Sequence, residues 1–157
     1  PVVSEAQFNK IQGLIQKGID EGAELVTGGV GRPDGLSTGF YVKPTVFAGV
    51  KYTMTIAREE IFGPVLSTIT FKDVEEAVRI ANDVSYGLTA AVWSRDITTA
   101  HRVAKRLRAG TVYVNCYDAD DITVPFGGFK QSGNGRDKSL HAMNKYTELK
   151  TTWIDLS

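Results

Sequence analysis

The chain has 157 residues, with 18 Lys plus Arg balanced by 18 Asp plus Glu, 42% hydrophobic residues, 16 Gly, 5 Pro and a single Cys. A formal net charge of zero supplies no global field for gathering nucleic acid or an anionic membrane surface, and a charged content of 23% is too ordinary for disorder. One Cys rules out an intramolecular disulfide framework, and with only His101 and His141 beside it no Cys/His zinc cluster assembles within one chain, so the expected setting is cytoplasmic. No run approaches the roughly 20 apolar residues of a membrane span, and the start lacks the basic-then-apolar layout of a signal peptide. A first residue that is not Met, running almost at once into a helix, is expected to mark a cut end.

Ser4 followed by Gln7 reads as a capping box, and Phe8, Ile11, Ile15 and Ile19 then recur at spacings of three and four, which marks one apolar helix face. That helix is expected over residues 5–21, with Gly22 as its stop. Leu25 and Val26 mark a short strand leading into a surface loop, residues 28–39, rich in Gly and holding Pro33. Residues 41–47 and 65–71 are rich in β-branched and aromatic side chains and are read as strands. Between them Gly63-Pro64 ends any helical turn, so the run that follows is extended.

The second half has a clearer rhythm. Asp73 with Glu76 caps a helix through about residue 82, residues 89–93 form a strand, and a helix over 97–108 turns Ile97, Ala100, Val103, Ala104 and Leu107 to one face. Gly110 closes that helix, and 111–115 is another strand. Helices alternating with short, continuously apolar strands point to an α/β fold, a mostly parallel sheet with helices on both faces. A Gly-rich loop, a helix near 137–146 and a last strand over 149–156 complete the chain, with no internal repeat, low-complexity tract or domain linker.

Cys116 stands just past a strand, where a nucleophile is readily presented, and a base such as His101 or His141 would have to activate it. Both histidines fall on helices, and no Asn or Asp partner is spaced as in Cys enzymes, so the residues favour a small, semi-buried and inert thiol. The segment Gly127-Gly128-Phe129-Lys130-Gln131-Ser132-Gly133-Asn134-Gly135-Arg136 invites a phosphate-cradle reading. It fits neither template: the dinucleotide pattern needs Gly where Lys138 stands, and a Walker loop from Gly128 needs Lys where Asn134 stands. Its glycines are therefore read as allowing positive φ in a tightly folded loop.

The basic residues Arg102, Lys105, Arg106 and Arg108 form a solvated helix face near a C-terminus that favours cations. Without interleaved aromatics, nucleic-acid binding is not expected. Glu59-Glu60 has the look of a solvated acidic pair, but it precedes an Ile-Phe-Gly-Pro turn at a strand entrance, and such turns often line clefts.

Taken together, Arg58-Glu59-Glu60-Ile61-Phe62-Gly63-Pro64, Ala81-Asn82, Tyr86-Gly87-Leu88, Ala109-Gly110-Thr111-Val112-Tyr113-Val114-Asn115 and the segment from Pro125 to Arg136 resemble, in order and spacing, the aldehyde dehydrogenase superfamily. The resemblance covers essentially the whole chain, including Tyr146-Thr147-Glu148-Leu149-Lys150-Thr151. Within it, Asp121-Ile122-Thr123-Val124-Pro125-Phe126-Gly127-Gly128 and Gly135-Arg136-Asp137-Lys138-Ser139-Leu140-His141-Ala142 look most like the γ-glutamyl-γ-aminobutyraldehyde dehydrogenases, with betaine-aldehyde and general aldehyde dehydrogenases next. The resemblance implies oxidation of an aldehyde to a carboxylic acid: a Cys thiolate adds to the carbonyl, hydride passes to NAD or NADP, and a Glu-activated water hydrolyses the thioester. It also implies that the nucleophilic Cys, its Glu base and the Gly-rich turn of the nucleotide domain lie upstream of anything matching Pro1. The chain then corresponds to the C-terminal third of such an enzyme, holds no catalytic residue of its own and is not expected to act alone.

What the resemblance does place here is part of the binding site. Glu60 matches a glutamate that accepts hydrogen bonds from two vicinal hydroxyls of the nicotinamide ribose, a task suited to the two oxygens of a carboxylate. Phe62 matches an aromatic packed near the nicotinamide ring, and Leu88 a further contact to that ring. Cys116 matches a position in the substrate pocket, and Phe126 an aromatic of the substrate funnel, a wall that excludes water and grips an apolar stem.

Asp120 stands where many members carry an aromatic. With Asp121 it suits a cationic or amide-bearing tail and so an aminoaldehyde-derived substrate; the alternative is two solvated loop acids. Backbone near Lys130 and Gly133 holds a monovalent cation in betaine-aldehyde-type relatives, but nothing in these residues asks for a metal. Residues 1–145 are expected to be the C-terminal part of the catalytic domain, and 146–157 a strand that extends a neighbouring subunit's sheet in a homo-oligomer. The alternative from another class is a non-catalytic α/β module acting by protein association.

Overall fold

Ser4 opens the first helix, α1 (Glu5–Asp20), its hydroxyl accepting from the Gln7 amide at 3.2 Å, and Gly22 closes it at φ +85°. The chain, a computed structural model in which residues 1–119 and 121–157 are described, divides into two units, Pro1–Asp73 and Val74–Ser157.

In the first unit β1 (Glu24–Thr27) pairs antiparallel with β2 (Thr45–Ala48), which pairs parallel with β3 (Val65–Ser67). The strand expected over 41–47 begins only at Thr45, because Pro44 has no N–H for a ladder and the two partner strands face only 45–48. The strand expected over 65–71 ends at Ser67, opposite Phe47, where its partner's register runs out. The apolar face of α1 does what its spacing predicts: Phe8, Ile11 and Ile15 are buried with Phe47, Val42, Val50, Met54, Ile56 and Ile61, and Ile19 packs on the edge of that cluster.

Two close approaches fix this unit. Thr45 is 1% exposed, and its hydroxyl donates to the Lys43 carbonyl at 2.8 Å while accepting from the Gly29 amide at 3.1 Å, so the buried hydroxyl is satisfied. Gly28, at φ +83°, has no space for a side chain, since a Cβ there would lie 2.3 Å from the Pro44 carbonyl oxygen. A single-turn helix, α2 (Thr55–Arg58), is held at its start by Glu21, whose carboxylate accepts from the Thr55 amide and the Thr55 hydroxyl, each at 2.7 Å.

The second unit runs α3 (Val74–Asn82), β4 (Tyr86–Gly87), β5 (Thr89–Val92), α4 (Ile97–Arg106), β6 (Thr111–Val114), β7 (Phe129–Lys130) and a 3-10 helix, Leu140–Lys145. The α/β class is the one observed. The strands form three small sheets, in which β2·β3 and β5·β6 pair parallel while β1·β2 and β4·β7 pair antiparallel. Asp96 caps α4, accepting from the amides of Thr98 and Thr99 at 3.0 and 3.2 Å. Within α4 Ala100 is fully buried, but Ile97, expected on the inner face, is exposed.

Two helices depart from the sequence expectation. Helix α4 stops at Arg106 rather than 108, because the Asn82 side chain donates to the Arg106 carbonyl at 2.9 Å and accepts from the Arg108 amide at 2.7 Å, pulling Leu107 into extended backbone. The helix expected near 137–146 is a 3-10 helix over Leu140–Lys145. Asp137 is instead paired with Phe126 through two backbone hydrogen bonds, and Lys138 and Ser139 take left-handed φ values of +59° and +52°, which no α-helix admits. The strand expected over 149–156 is likewise not formed within this chain, where no described segment pairs with it.

Candidate functional site

In the first unit, Glu60 and Phe62 flank a buried residue. Ile61 is 7% exposed and joins the apolar core, whereas Glu60 is exposed and Phe62 is 70% exposed. One anchored side chain thus stands between an exposed carboxylate and an exposed aromatic ring. Phe62 takes φ +57°, uncommon for a residue with a bulky side chain. Its neighbour Gly63 lies so close to α1 that a Cβ there would sit 2.5 Å from Ile11 Cδ1.

Sequence reasoning missed one residue of this turn. The spacing from Ser4 places Gln7 in a capping box, and half of that motif is present, because Ser4 does accept from the Gln7 amide. The reciprocal half is absent. The Gln7 side chain donates from Nε2 to the Ile61 carbonyl at 3.2 Å and the Phe62 carbonyl at 3.0 Å. The spacing that signals a cap gives no sign of a partner 55 positions away.

In the second unit the expected residues are spread along the β5·β6 pair. Leu88, 41% exposed, precedes β5, and its carbonyl accepts from the Thr111 amide at 3.1 Å. Cys116 lies beyond the other end, past the Val92–Val114 pair, so at roughly 3.3 Å per residue the length of the ladder separates it from Leu88. Cys116 is exposed rather than semi-buried. The reason is Asn115, which leaves the strand at φ +54° and locks the exit by accepting from the Ser94 amide at 2.8 Å and donating to the Ser94 carbonyl at 3.0 Å. An open hollow of about 540 Å³ beside that lock is lined by Trp93, Ser94, Arg95 and Asn115.

Phe126 is half-buried and held by its two backbone bonds to Asp137, with the Lys138 ammonium 5.6 Å from the ring centroid. The following Gly127 runs against Gly110, where a Cβ would lie only 1.6 Å from the Gly127 carbonyl oxygen. The Phe126 segment thus sits at the Leu88 end of the ladder, and the structure does not gather Leu88, Phe126 and Cys116 at one point. Asp120 lies outside the described residues. Beside it, the Asp121 carboxylate accepts from the Thr123 hydroxyl and the Thr123 amide, each at 2.7 Å, and these bonds, the hydroxyl's first, hold its pKa below the usual carboxylate range.

The glycines of the 127–136 segment divide into two kinds. Gly133 and Gly135 have positive φ, as the sequence predicts. Gly127 and Gly128 instead allow backbone to pass backbone, with Cβ positions 2.5 Å from the Gly135 carbonyl oxygen and from Ser132 Cβ. Phe129 meets both Arg108 and Arg136, whose guanidinium carbons are 5.8 and 5.2 Å from its ring centroid. Among the described residues no group of three His, Cys, Asp or Glu side chains could hold a metal ion, and no helix is long and apolar enough to cross a membrane.

The model of the Aldehyde dehydrogenase family matches residues 1–152. The betaine aldehyde dehydrogenase of Sinorhizobium fredii (strain NBRC 101917 / NGR234) is 51% identical over 157 residues, covering 99% of this chain and 32% of the relative. The NADP/NAD-dependent aldehyde dehydrogenase PuuC of Escherichia coli (strain K12) is 51% identical over 151 residues, covering 96% of this chain and 30% of the relative. A crystal structure of indole-3-acetaldehyde dehydrogenase with NAD+ superposes with a TM-score of 0.92 at 57% identity, over 99% of this chain and 31% of that one. The chain thus spans about a third of the length of the proteins it matches.

Proposed function

The chain belongs to the aldehyde dehydrogenase family, and on that premise we propose that it forms the C-terminal part of an enzyme that oxidises an aldehyde to a carboxylic acid with NAD or NADP. The observation that carries this reading is the turn in which buried Ile61 stands between an exposed Glu60 and an exposed Phe62. No described residue engages the Glu60 carboxylate in a hydrogen bond or ion pair, so both oxygens are available to a pair of adjacent hydroxyls on a ribose. The exposed Phe62 ring offers a flat apolar surface for the nicotinamide. When bound, the dinucleotide supplies the acceptor for hydride.

In the same reading Phe126 grips the apolar part of the aldehyde, Cys116 borders the substrate pocket, and Asp120 with the ionised Asp121 favours a cationic or amide-bearing tail, hence an aminoaldehyde derivative. The nucleophilic Cys and its base are supplied by the two thirds of the relatives' length that this chain does not span. Residues 146–157 pair with a neighbouring subunit; Tyr146, Leu149, Trp153, Ile154 and Leu156 are all exposed here and would be covered in such an assembly. Aldehyde-dependent NADH formation tests the proposal. The 157-residue chain alone should be inactive, and the enzyme that includes the remaining two thirds should be active, with Glu60→Gln raising its KM for NAD+ about tenfold. Turnover by the chain alone, or an unchanged KM in Glu60→Gln, would overturn it.

A further inference from the structure

We propose that Gln7 is the positioning residue of the cofactor-binding turn, its side-chain amide holding Phe62 in the left-handed conformation on which the presentation of Glu60 and the Phe62 ring depends. The inference rests on the reading of Glu60 and Phe62 as cofactor contacts. Left-handed backbone at a residue with a bulky side chain persists only where the surroundings over-determine it, and at Phe62 (φ +57°) the surroundings are few. Ile61 is anchored in the core before it, and Gly63 is wedged against Ile11 after it. Between these anchors the peptide carbonyls of Ile61 and Phe62 must point somewhere. Gln7 Nε2 collects both, at 3.2 and 3.0 Å, so both hydrogens of one amide set two successive carbonyls on the side of α1.

The capping geometry supports the same assignment. The helix start needs only the Gln7 backbone amide, which Ser4 satisfies. The Gln7 side chain, half-buried, spans instead to a segment 54 and 55 positions away. A residue that merely closed the first helical turn would be replaced without loss by Glu, which has the same length and suits a helix N-terminus. A residue that donates two hydrogen bonds to carbonyls would not, because an ionised carboxylate only accepts.

The test is made in the full-length enzyme that contains this chain, comparing wild type, Gln7→Glu, Gln7→Met and Glu60→Gln by KM for NAD+, KM for the aldehyde and thermal midpoint. Gln7→Glu and Gln7→Met should each raise the KM for NAD+ about fivefold to tenfold while leaving the KM for the aldehyde within error, with no more than a small fall in the midpoint. Should Gln7→Glu fail to fold, the neutral Gln7→Met carries the comparison. An unchanged NAD+ KM in both Gln7 variants, with a raised one in Glu60→Gln, overturns the role of Gln7 and leaves the cofactor reading standing. A parallel rise of both KM values with a fallen midpoint also overturns it, by showing general packing. No change in any variant, Glu60→Gln included, removes the cofactor reading and the inference with it.

Discussion

The two units reach stability by different means. The first closes around interlocked side chains, with Phe47, Ile11 and Ile15 fully buried at the centre of a continuous apolar cluster. In the second, Val78, Ala100 and Tyr113 are the only buried apolar side chains among the described residues, while Trp93, Tyr117, Ile122, Tyr146, Trp153 and Ile154 stand exposed. What organises the second unit is backbone and polar contact. Glycines let main chain pass main chain, Arg136 donates to the Gly128 carbonyl at 3.1 Å, and Lys130 donates to the carbonyls of Asn82 and Val84 at 2.7 and 2.9 Å. Side-chain burial is non-directional and tolerates rearrangement, whereas close backbone passage works at one geometry only.

The contrast is broken most severely at the centre of the first unit. Phe47→Ala should destabilise it by about 3–5 kcal/mol, since the vacated volume lies within a core with no solvent access. Amide exchange at Ile11 and Ile15 against denaturant would measure the loss, and a change below about 1 kcal/mol would show that the cluster repacks. In the second unit the matching change adds an atom instead of removing several. Gly110→Ala places a Cβ 1.6 Å from the Gly127 carbonyl oxygen, and the displaced backbone should cost about 1–3 kcal/mol, with loss of exchange protection at Gly110 and Thr111. If a single methyl there is tolerated without effect, backbone passage is not what holds that unit.

The smallest effect is electrostatic. The Thr55 hydroxyl and, next, the Thr55 amide hold the Glu21 carboxyl below its usual pKa. A carboxylate depressed on folding contributes stability above its unfolded pKa and loses it as pH falls through the folded one, so the start of α2 should loosen only in acid. Exchange of the Thr55 amide should quicken below the ordinary carboxylate range in wild type. In Glu21→Gln that acid step should vanish, and its persistence would assign the step to another group.

The same contrast explains what was legible in the sequence. The face of α1, the Gly22 stop, the existence of α3 and α4, and the parallel β5·β6 pair are local periodic signals, and the structure carries them. The turn around Ile61 was legible as a place and not as a mechanism. Glu60 and Phe62 stand out beside Gly63-Pro64, but the amide that fixes their backbone comes from Gln7, where a capping pattern already accounts for the residue type. Leu107, Ser139 and the 149–156 segment failed for one reason: their conformations are set by Asn82, by the Phe126–Asp137 pairing and by the lack of a strand partner within the chain, none of which propensity registers. Glycine content marked the 127–136 segment as tightly folded, yet composition does not distinguish a positive φ from a close passage.

Asn82 carries a consequence for the time course of folding. Its side chain ends α4 across 24 and 26 positions, and its own carbonyl receives Lys130 from 48 positions away. Three stretches of chain therefore meet at one peptide, and the last arrives only after a long loop has closed. Helices α3 and α4 are short-range and form on the timescale of local turns, but the register of β7 waits on that closure. Refolding of the second unit should be paced by the return of Lys130 to Asn82, and a nascent chain ending before residue 130 would hold its helices, already joined through Asn82 and Arg106, without the contact that seats β7.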